Sequence, residues 1–548
     1  MRKREVLLFL LLGTLMLSGC NKKTGENMQQ NTTESFDAVG TSITEIDTSD
    51  MFSNRDKEVG YEESESVSIS LADDSSACES DAVSITENTV TIKEEGTYIL
   101  SGTLSKGMVI VEAEDTDKIQ IVLNGVSISN SQSAALYVRS ADKVFVTTAS
   151  GTENILENNG TYVAIDENNI DSAVFSKSDL TLNGEGILTV TAQEGHGIVS
   201  KDDLALTSGI YVITSASHGI SGKDSVRIAN GSYAIVAGKD GVHAENAEDD
   251  ALHSNGNLAV KNGTYALSSG DDGIHADSNV SISGGGIDII KSYEGIEGLS
   301  IDITGGEIFV LATDDGMNAA GGNDSSGFEG TGGDQFAATE GAYIHISGGV
   351  IHVNSEGDGI DSNGDLTVSG GDTFISGPVN DGNGALDYNG EAVISGGTFV
   401  AAGSSGMAQN FGSSSTQGTV LVSVGSQEAG SVVSLQDSDG IELMQWEPDK
   451  VYTSVLISCP ELTKDSTYTV SAGTYSEEIT LDTLIYGSGL MQGGPGNPEQ
   501  REMKGTPPDM DEGNKQGTPP DRNGENKQGG PGEAGENQGS SSDTGDSM

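Results

Sequence analysis

Apolar and polar residues alternate over short runs through the middle of the chain, and glycine interrupts each run. The clearest series begins at Lys177: DLTLNGEGILTV, DLALTSGIYVIT, SVRIANGSYAIV, NLAVKNGTYALS, NVSISGGGIDII, IDITGGEIFVLA, YIHISGGVIHVN and DLTVSGGDTFIS. Period-two alternation predicts strands, and the glycines predict tight turns between them. After each turn one alternating set holds Tyr211 and Ile213, Tyr233 and Ile235, Tyr265 and Leu267, Ile287 and Ile289, Ile308 and Val310. This set should face inward and stack. The opposite set, with Asp288, Phe309, His352 and Phe374, should face outward.

Each unit closes on an acid or histidine, a small residue, an aliphatic residue and a polar residue. Three copies read Asp240-Gly241-Val242-His243, Asp250-Ala251-Leu252-His253 and Asp272-Gly273-Ile274-His275. Taking the aliphatic residue as phase marker gives Leu136, Val174, Ile198, Ile220, Val242, Leu252, Ile274, Ile296, Met317, Ile360, Leu386 and Met407. Five of the intervals up to Met317 are 21 or 22 residues, and the 43-residue gap to Ile360 is about two periods. An internal repeat of this length argues for one elongated solenoid whose coils bury their apolar residues against each other. About 22 residues per coil with three short strands is the size of a right-handed parallel β-helix, so the expected fold is all-β.

The pattern also sets boundaries. Strand-like alternation starts at Ser66, so the β-helix and its N-terminal cap should occupy 66–410. Residues 411–486 alternate differently and read as a small C-terminal β cap or sandwich, covering an edge that would otherwise template aggregation. Residues 487–548 form a Gly/Pro-rich tail and residues 21–65 a polar spacer, both expected to be disordered. Residues 1–20 carry Arg2, Lys3 and Arg4, an apolar run from Val6 to Leu17, and the ending Leu17-Ser18-Gly19-Cys20. This is the layout of a secretory signal, and the ending resembles a bacterial lipobox, which implies lipid attachment at Cys20. The protein is thus expected outside the cell, tethered to the membrane by that lipid alone. Cys78 and Cys459, before and after the repeats, should be unpaired.

Charge narrows the partners. With 84 acidic and 26 basic residues the formal net charge is −58. Such an excess opposes nucleic acid and anionic lipid and favours divalent cations. Aligned by their markers, the coils place acids in rows: Asp240, Asp250, Asp272, Glu294, Asp315 and Asp358 two residues before the marker, His196 and His218 taking that place earlier. Glu297 and Asp361 stand one after it, Glu245 and Asp277 three after it, and Asp249, Asp271 and Asp314 beside the first row. Equivalent positions of neighbouring coils lie about 4.8 Å apart, where carboxylates repel. Ca²⁺–O bonds of about 2.3–2.6 Å bridge such a gap, so these acids are candidate Ca²⁺ ligands. The alternative is solvated turns in which Asp-Gly is chosen for its conformation. His243, His253 and His275 raise zinc or copper, but a row along a solenoid points them parallel rather than at one ion. The three tyrosines suit either a sugar platform or the core, and their phase favours the core. Outward Phe309 and Phe374 are candidate sugar contacts.

Several phrases resemble a known family: Asp142-Lys143-Val144-Phe145, His196-Gly197-Ile198-Val199-Ser200-Lys201-Asp202-Asp203-Leu204, Ser292-Tyr293-Glu294-Gly295-Ile296-Glu297-Gly298 and Asp314-Asp315-Gly316-Met317-Asn318-Ala319-Ala320. Residues 66–485 resemble the bacterial carbohydrate-binding β-helix family long described as a domain of unknown function. The resemblance implies a right-handed β-helix like that of pectate lyases, bound calcium, a surface location, and binding of cellulose or acidic sugars such as polygalacturonate. The family's acidic positions carry over at Asp240, Asp272, Glu294, Asp315 and Asp358. The resulting expectation is a monomeric, calcium-loaded polysaccharide-binding protein without enzymatic activity. The alternatives are a polysaccharide lyase or glycosidase on the same fold, and a passive surface adhesin or spacer. A lyase is disfavoured because no Lys or Arg occurs from Ser292 to Asp449.

Overall fold

The structure, a computed structural model, describes residues 51–245, 256–320 and 338–487. Apart from two three-residue 3₁₀ turns, the regular structure among these residues is all β. Successive strands return to pair in parallel with their equivalents one coil on, which makes the chain a solenoid with three faces. On the first face the markers align directly: Leu136 beside Val174, then Ile198, Ile220, Val242, Ile274, Ile296, Met317 and Ile360. The second face runs through Lys143–Thr148, Asp179–Gly184, Asp203–Leu206, Ser225–Ile228 and Asn257–Val260. The third runs through Glu153–Asn158, Ile187–Ala192, Ile210–Ser215, Ser232–Ala237 and Thr264–Ser268. The pattern begins at once, with Val67–Leu71 parallel to Gly96–Leu104.

Two expectations about coil count are corrected. Val242 pairs with Ile274 and His243 with His275, so the ladder passes directly from one to the other; the Asp250-Ala251-Leu252-His253 copy lies outside the described residues. Met317 pairs directly with Ile360, so the 43-residue gap is one coil with an insertion, not two coils.

The inward set lies in one continuous apolar core. Within it Tyr211, Tyr233 and Tyr265 stack at centroid separations of 5.1 and 4.8 Å. Their hydroxyls donate to the carbonyls of Ser208, Asn230 and Asn262 at 2.6, 2.9 and 2.7 Å. Buried tyrosine is tolerated because each hydroxyl keeps a partner, and burial pushes all three phenols far up. Between the second and third faces the turn falls on stacked glycines such as Gly306 and Gly349, at φ +105° and +93°. A Cβ on Gly349 would sit 3.0 Å from the Gly306 carbonyl, so only glycine serves.

The last coil strand, Thr398–Gly403, pairs antiparallel with Tyr452–Ser458, which pairs antiparallel with Thr419–Gln427. These strands close the open edge. Glu442–Trp446, Val433–Asp437, Thr467–Ala472 and Tyr475–Thr480 form a separate antiparallel sheet, and a second apolar cluster joins it to Val400 and Ala402.

Residues 51–65, placed in the disordered spacer by the sequence reading, instead pack on the second face. Asp56 is buried, 2.9 Å from Lys143 Nζ, and accepts from Thr181 at 2.6 Å. Asn183 and Thr207 donate to its carbonyl, Arg227 donates to the Met51 carbonyl, and Arg55 lies over the Phe145 ring. Cys78 and Cys459 are free thiols. Residues 1–50 and 488–548, with Cys20 and the tail, lie outside the described residues, as do Asp249 and Asp250.

Candidate cation row

The acidic phrase is built by a tight corner between the third and first faces. The glycine before each marker has no room for a side chain. A Cβ on Gly219 would lie 2.5 Å from Ile235 Cγ2, and one on Gly295 would lie 2.2 Å from Val310 Cγ1. These glycines do not have positive φ, so close approach to the core, rather than an unusual backbone conformation, selects Asp-Gly here. The corner brings the residue two before the marker and the residue one after it to the same edge. The two rows therefore merge into one. Four groups have ligand atoms within 4.8 Å of one another: His218, Asp240 and His243; Asp240, Asp272 and His275; Asp272, Glu294 and Glu297; and Asp315, Asp358 and Asp361.

In Asp240, Asp272, Asp315 and Asp358 one carboxylate oxygen is fixed by the next coil. The Asp272 amide donates to Asp240 Oδ1 at 3.1 Å, the Glu294 amide to Asp272 Oδ1 at 3.3 Å, and the Asp358 amide to Asp315 Oδ1 at 2.6 Å. The Gly384 amide does the same for Asp358. The second oxygen meets whatever the following residue supplies, and this changes along the row.

In the earlier coils it meets imidazole. His196, His218, His243 and His275 stack at 4.9, 4.2 and 4.9 Å. Asp240 Oδ2 lies 2.9 Å from His218 Nδ1 and 2.7 Å from His243 Nδ1. Burial pushes the Asp240 carboxyl up, but these two hydrogen bonds outweigh it and hold the group well below its usual range. Burial and the His218 charge push His196 down to about 3, and burial also lowers His243 against the pull of Asp240. His275 differs. Burial lowers it, yet contacts with Asp272 Oδ2 at 3.0 Å, Asp277 Oδ1 at 3.2 Å and Glu297 Oε2 at 2.8 Å raise it well above its usual value. The three carboxylates around it favour its charged form.

Beyond His275 the acids outrun their partners. Burial raises Asp272 to about 9 and Glu294 to about 10, with neighbouring carboxylates adding to both. Asn318 donates to Glu294 at 2.8 Å. At Asp315, Asp358 and Asp361 the group contains oxygen ligands alone, and no Lys or Arg occurs between Ser292 and Asp449. Burial first, then mutual repulsion, raises these three to about 8, 8 and 7. Carboxylates that cannot spread apart must bind protons or a cation. Two Ca²⁺–O bonds span up to about 4.6–5.2 Å, and the ligand atoms of this group all lie within 4.8 Å of one another, so this oxygen-only group fits a hard cation. Asp240, saturated by imidazoles, does not.

The sequence matches the model of the family described as carbohydrate-binding domain-containing protein over residues 86–382, more than half of the chain. The chain belongs to that family. A carbohydrate-binding domain-containing protein of Acetivibrio thermocellus is 36% identical over 131 residues, 24% of this chain and 46% of the relative. The match therefore spans about half of the relative's length. A solved polysaccharide lyase-like protein from C. thermocellum, a gadolinium derivative, is 29% identical with a TM-score of 0.39, covering 46% of this chain and 96% of that one.

Within this member of the family the predicted ligands separate into two sets. Asp240, Asp272, Glu294, Glu297, Asp315, Asp358 and Asp361 come together in the merged row. Glu245 instead faces Lys223 at 3.6 Å, and Asp277 serves His275. Asp271 and Asp314 sit half-buried beside the row. Phe309 and Phe374 lie elsewhere, on the third face, joined by two rings not singled out for sugar contact. His352 stacks between them at 4.9 and 5.0 Å, and Trp446 lies 5.9 Å from Phe374. The outward phase of His352 was visible in the repeat; nothing local pointed to Trp446.

Proposed function

We propose that the protein is a lipid-anchored, extracellular, right-handed β-helix that binds Ca²⁺ and cell-wall polysaccharide and does not cleave it. Asp315, Asp358 and Asp361 would hold the ion, and Asp272, Glu294 and Glu297 form a second candidate group. The observation that supports this most is the distal triad: three half-buried carboxyls, oxygen ligands alone, in a stretch from Ser292 to Asp449 that holds no Lys or Arg. Ca²⁺ bound there supplies positive charge that a uronate carboxylate can share, which reconciles an acidic sugar such as polygalacturonate with a chain of net charge −58. The residues themselves fix the geometry: the Asp358 and Gly384 amides hold one oxygen of Asp315 and of Asp358. Binding rather than cleavage is favoured because a lyase commonly uses Arg or Lys as base, and neither occurs from Ser292 to Asp449.

The test is retention of polygalacturonate by the purified protein in Ca²⁺ and in EDTA, with unsaturated sugar ends assayed in parallel. Binding should disappear in EDTA, return with Ca²⁺, and leave the polymer uncut. Binding that persists in EDTA with an intact circular dichroism spectrum would rule out the calcium bridge, and new unsaturated ends would make the protein a lyase.

A further inference from the structure

The third face carries an arrangement that the acidic row does not use. Asp288, Phe309, His352 and Phe374 occupy one outward column, in register across four coils. Phe309 and His352 stack at 4° and His352 and Phe374 at 15°, with Trp446 beyond them tilted by 36°. Ring faces inside the stack are thus covered by neighbouring rings. The face of Phe309 that looks back along the column is not, because the preceding rung holds Asp288 in place of a ring. The stack borders a groove of about 310 Å³ that Ile290, Leu311, Asn354 and Asp449 also line. Its apolar groups stand in solvent: Phe309 is 42% exposed, Leu311 49% and Ile290 50%. Contiguous exposed apolar groups with a polar edge mark binding surfaces rather than packing.

Charge decides the occupant. Asp288 stands one rung, about 4.8 Å, from the open face of Phe309, and a carboxylate and a π face are both negative. A cation set against the two relieves that conflict and gains from each. The other end of the groove repeats the pairing of ring and acid with Trp446 and Asp449. No Lys or Arg is among its lining residues, and the adjacent Lys450 donates instead to the Ser355 carbonyl and faces Glu356 at 3.7 Å. The net charge of −58 draws any cation from a distance, but only here do paired acids flank exposed rings and aliphatic groups. Ring-to-ring steps of 4.9, 5.0 and 5.9 Å lead from Phe309 to Trp446, a path that about four residues of extended chain cover at about 3.3 Å each. We propose that this groove binds an extended cationic peptide segment with two basic side chains about four residues apart and apolar residues between them. One basic group sits between Asp288 and Phe309, the other by Asp449 and Trp446, and the apolar residues lie along Leu311 and Ile290. Neither the calcium nor the polysaccharide reading enters this argument.

The chain's single tryptophan is Trp446, so tryptophan emission reports this groove. The probe is a tryptophan-free pentapeptide with arginine at both ends and leucine within, titrated into the full protein at about 0.15 M salt to screen distant charge. It should shift the emission saturably. The same peptide with glutamate ends should leave the emission unmoved, and one with serine in place of leucine should bind more weakly. Asp288→Asn, Asp449→Asn and Phe309→Ala, all at exposed positions, should each weaken binding about threefold to fivefold. Glu94→Gln with Glu95→Gln, exposed acids of the first coils, should bind as the parent does. The proposal is overturned if the arginine peptide leaves the emission unmoved, or if the three groove variants bind as the parent does. It is also overturned if the Glu94 and Glu95 pair weakens binding as much as Asp288→Asn with Asp449→Asn, which would reduce the effect to net charge. A shift with cellohexaose and none with the arginine peptide would overturn it by making the groove a sugar site. Retention of polygalacturonate is a separate readout, whose failure bears on the calcium reading and not on this groove.

Discussion

Replacing Asp315, Asp358 and Asp361 by asparagine should stabilise the ion-free protein, although these are its best candidate ligands. Their carboxyls stand at about 8, 8 and 7, against about 3.9 in an unfolded chain. A raised folded-state value means that the native protein keeps protons that the unfolded chain has released. In EDTA the stability contributed by these groups is therefore fully present below about pH 4 and is lost as pH rises toward about 8. The slope is about 1.4 kcal/mol per pH unit for each retained proton, or about 4 kcal/mol per unit if all three are retained independently. Asparagine preserves shape and keeps an oxygen to accept from the Asp358 and Gly384 amides, so no buried donor is stranded. Urea midpoints followed by circular dichroism at pH 5, 6, 7 and 8 in EDTA should fall with pH in the parent and stay flatter in the variant. By pH 7.5 the variant should be the more stable by several kcal/mol. Added Ca²⁺ should reverse the order, since an ion bound only by the native state stabilises by mass action. A variant less stable than its parent in EDTA at pH 7.5, or one with the same slope, would refute the reasoning.

Three further outcomes can be measured. Ca²⁺ should raise the parent's thermal midpoint more than equimolar Mg²⁺, which keeps its waters and demands octahedral geometry; equal shifts would indicate charge screening. Cys20→Ser should give protein without lipid in the soluble or uncleaved fraction, and mature membrane-bound protein lacking lipid would refute the anchor. Asp56→Ala should cost about 2 kcal/mol, because it removes the nearer of the two carboxylates of Lys143, leaving Asp179 at 3.7 Å, and the acceptor of the buried Thr181 hydroxyl, and limited proteolysis should then cut within residues 51–65. In the parent, burial of Asp56 is outweighed by bonds from Thr181, Lys143 and Ser53, which hold it near about 2. That contribution is present above about pH 4 and fades as pH falls through about 2.

The parallel all-β stack was legible because a short repeat writes its period directly: the aliphatic markers that align on paper align in register from Val174 to Val242. The inward tyrosines were legible for the same reason. The step of the ladder from Val242 straight to Ile274 was not, since the phrase at Leu252 has the same local pattern as its neighbours, and only the pairing of His243 with His275 sets the register. The acids were read as parallel rows. Their convergence depends on how sharply Gly241 and its equivalents bend the corner, which no spacing reports, so the capture of Asp240 by two imidazoles was hidden. Trp446 reaches Phe374 across 72 positions of sequence through a separate sheet, a contact that only tertiary packing creates.

The segment 51–65 also governs where a pull on the molecule is felt. It runs back along the coils, from Met51 beside Arg227 and Phe52 near Lys261, to Arg55 against Gln120. Tension arriving from the N-terminal side therefore enters the stack near its middle, at Arg227, and not at the first strand. The contacts of Met51, Phe52, Asp56 and Arg55 must give way before load reaches Val67–Leu71, the rung from which a solenoid would otherwise unravel. The strap is a strain relief, as on a cable.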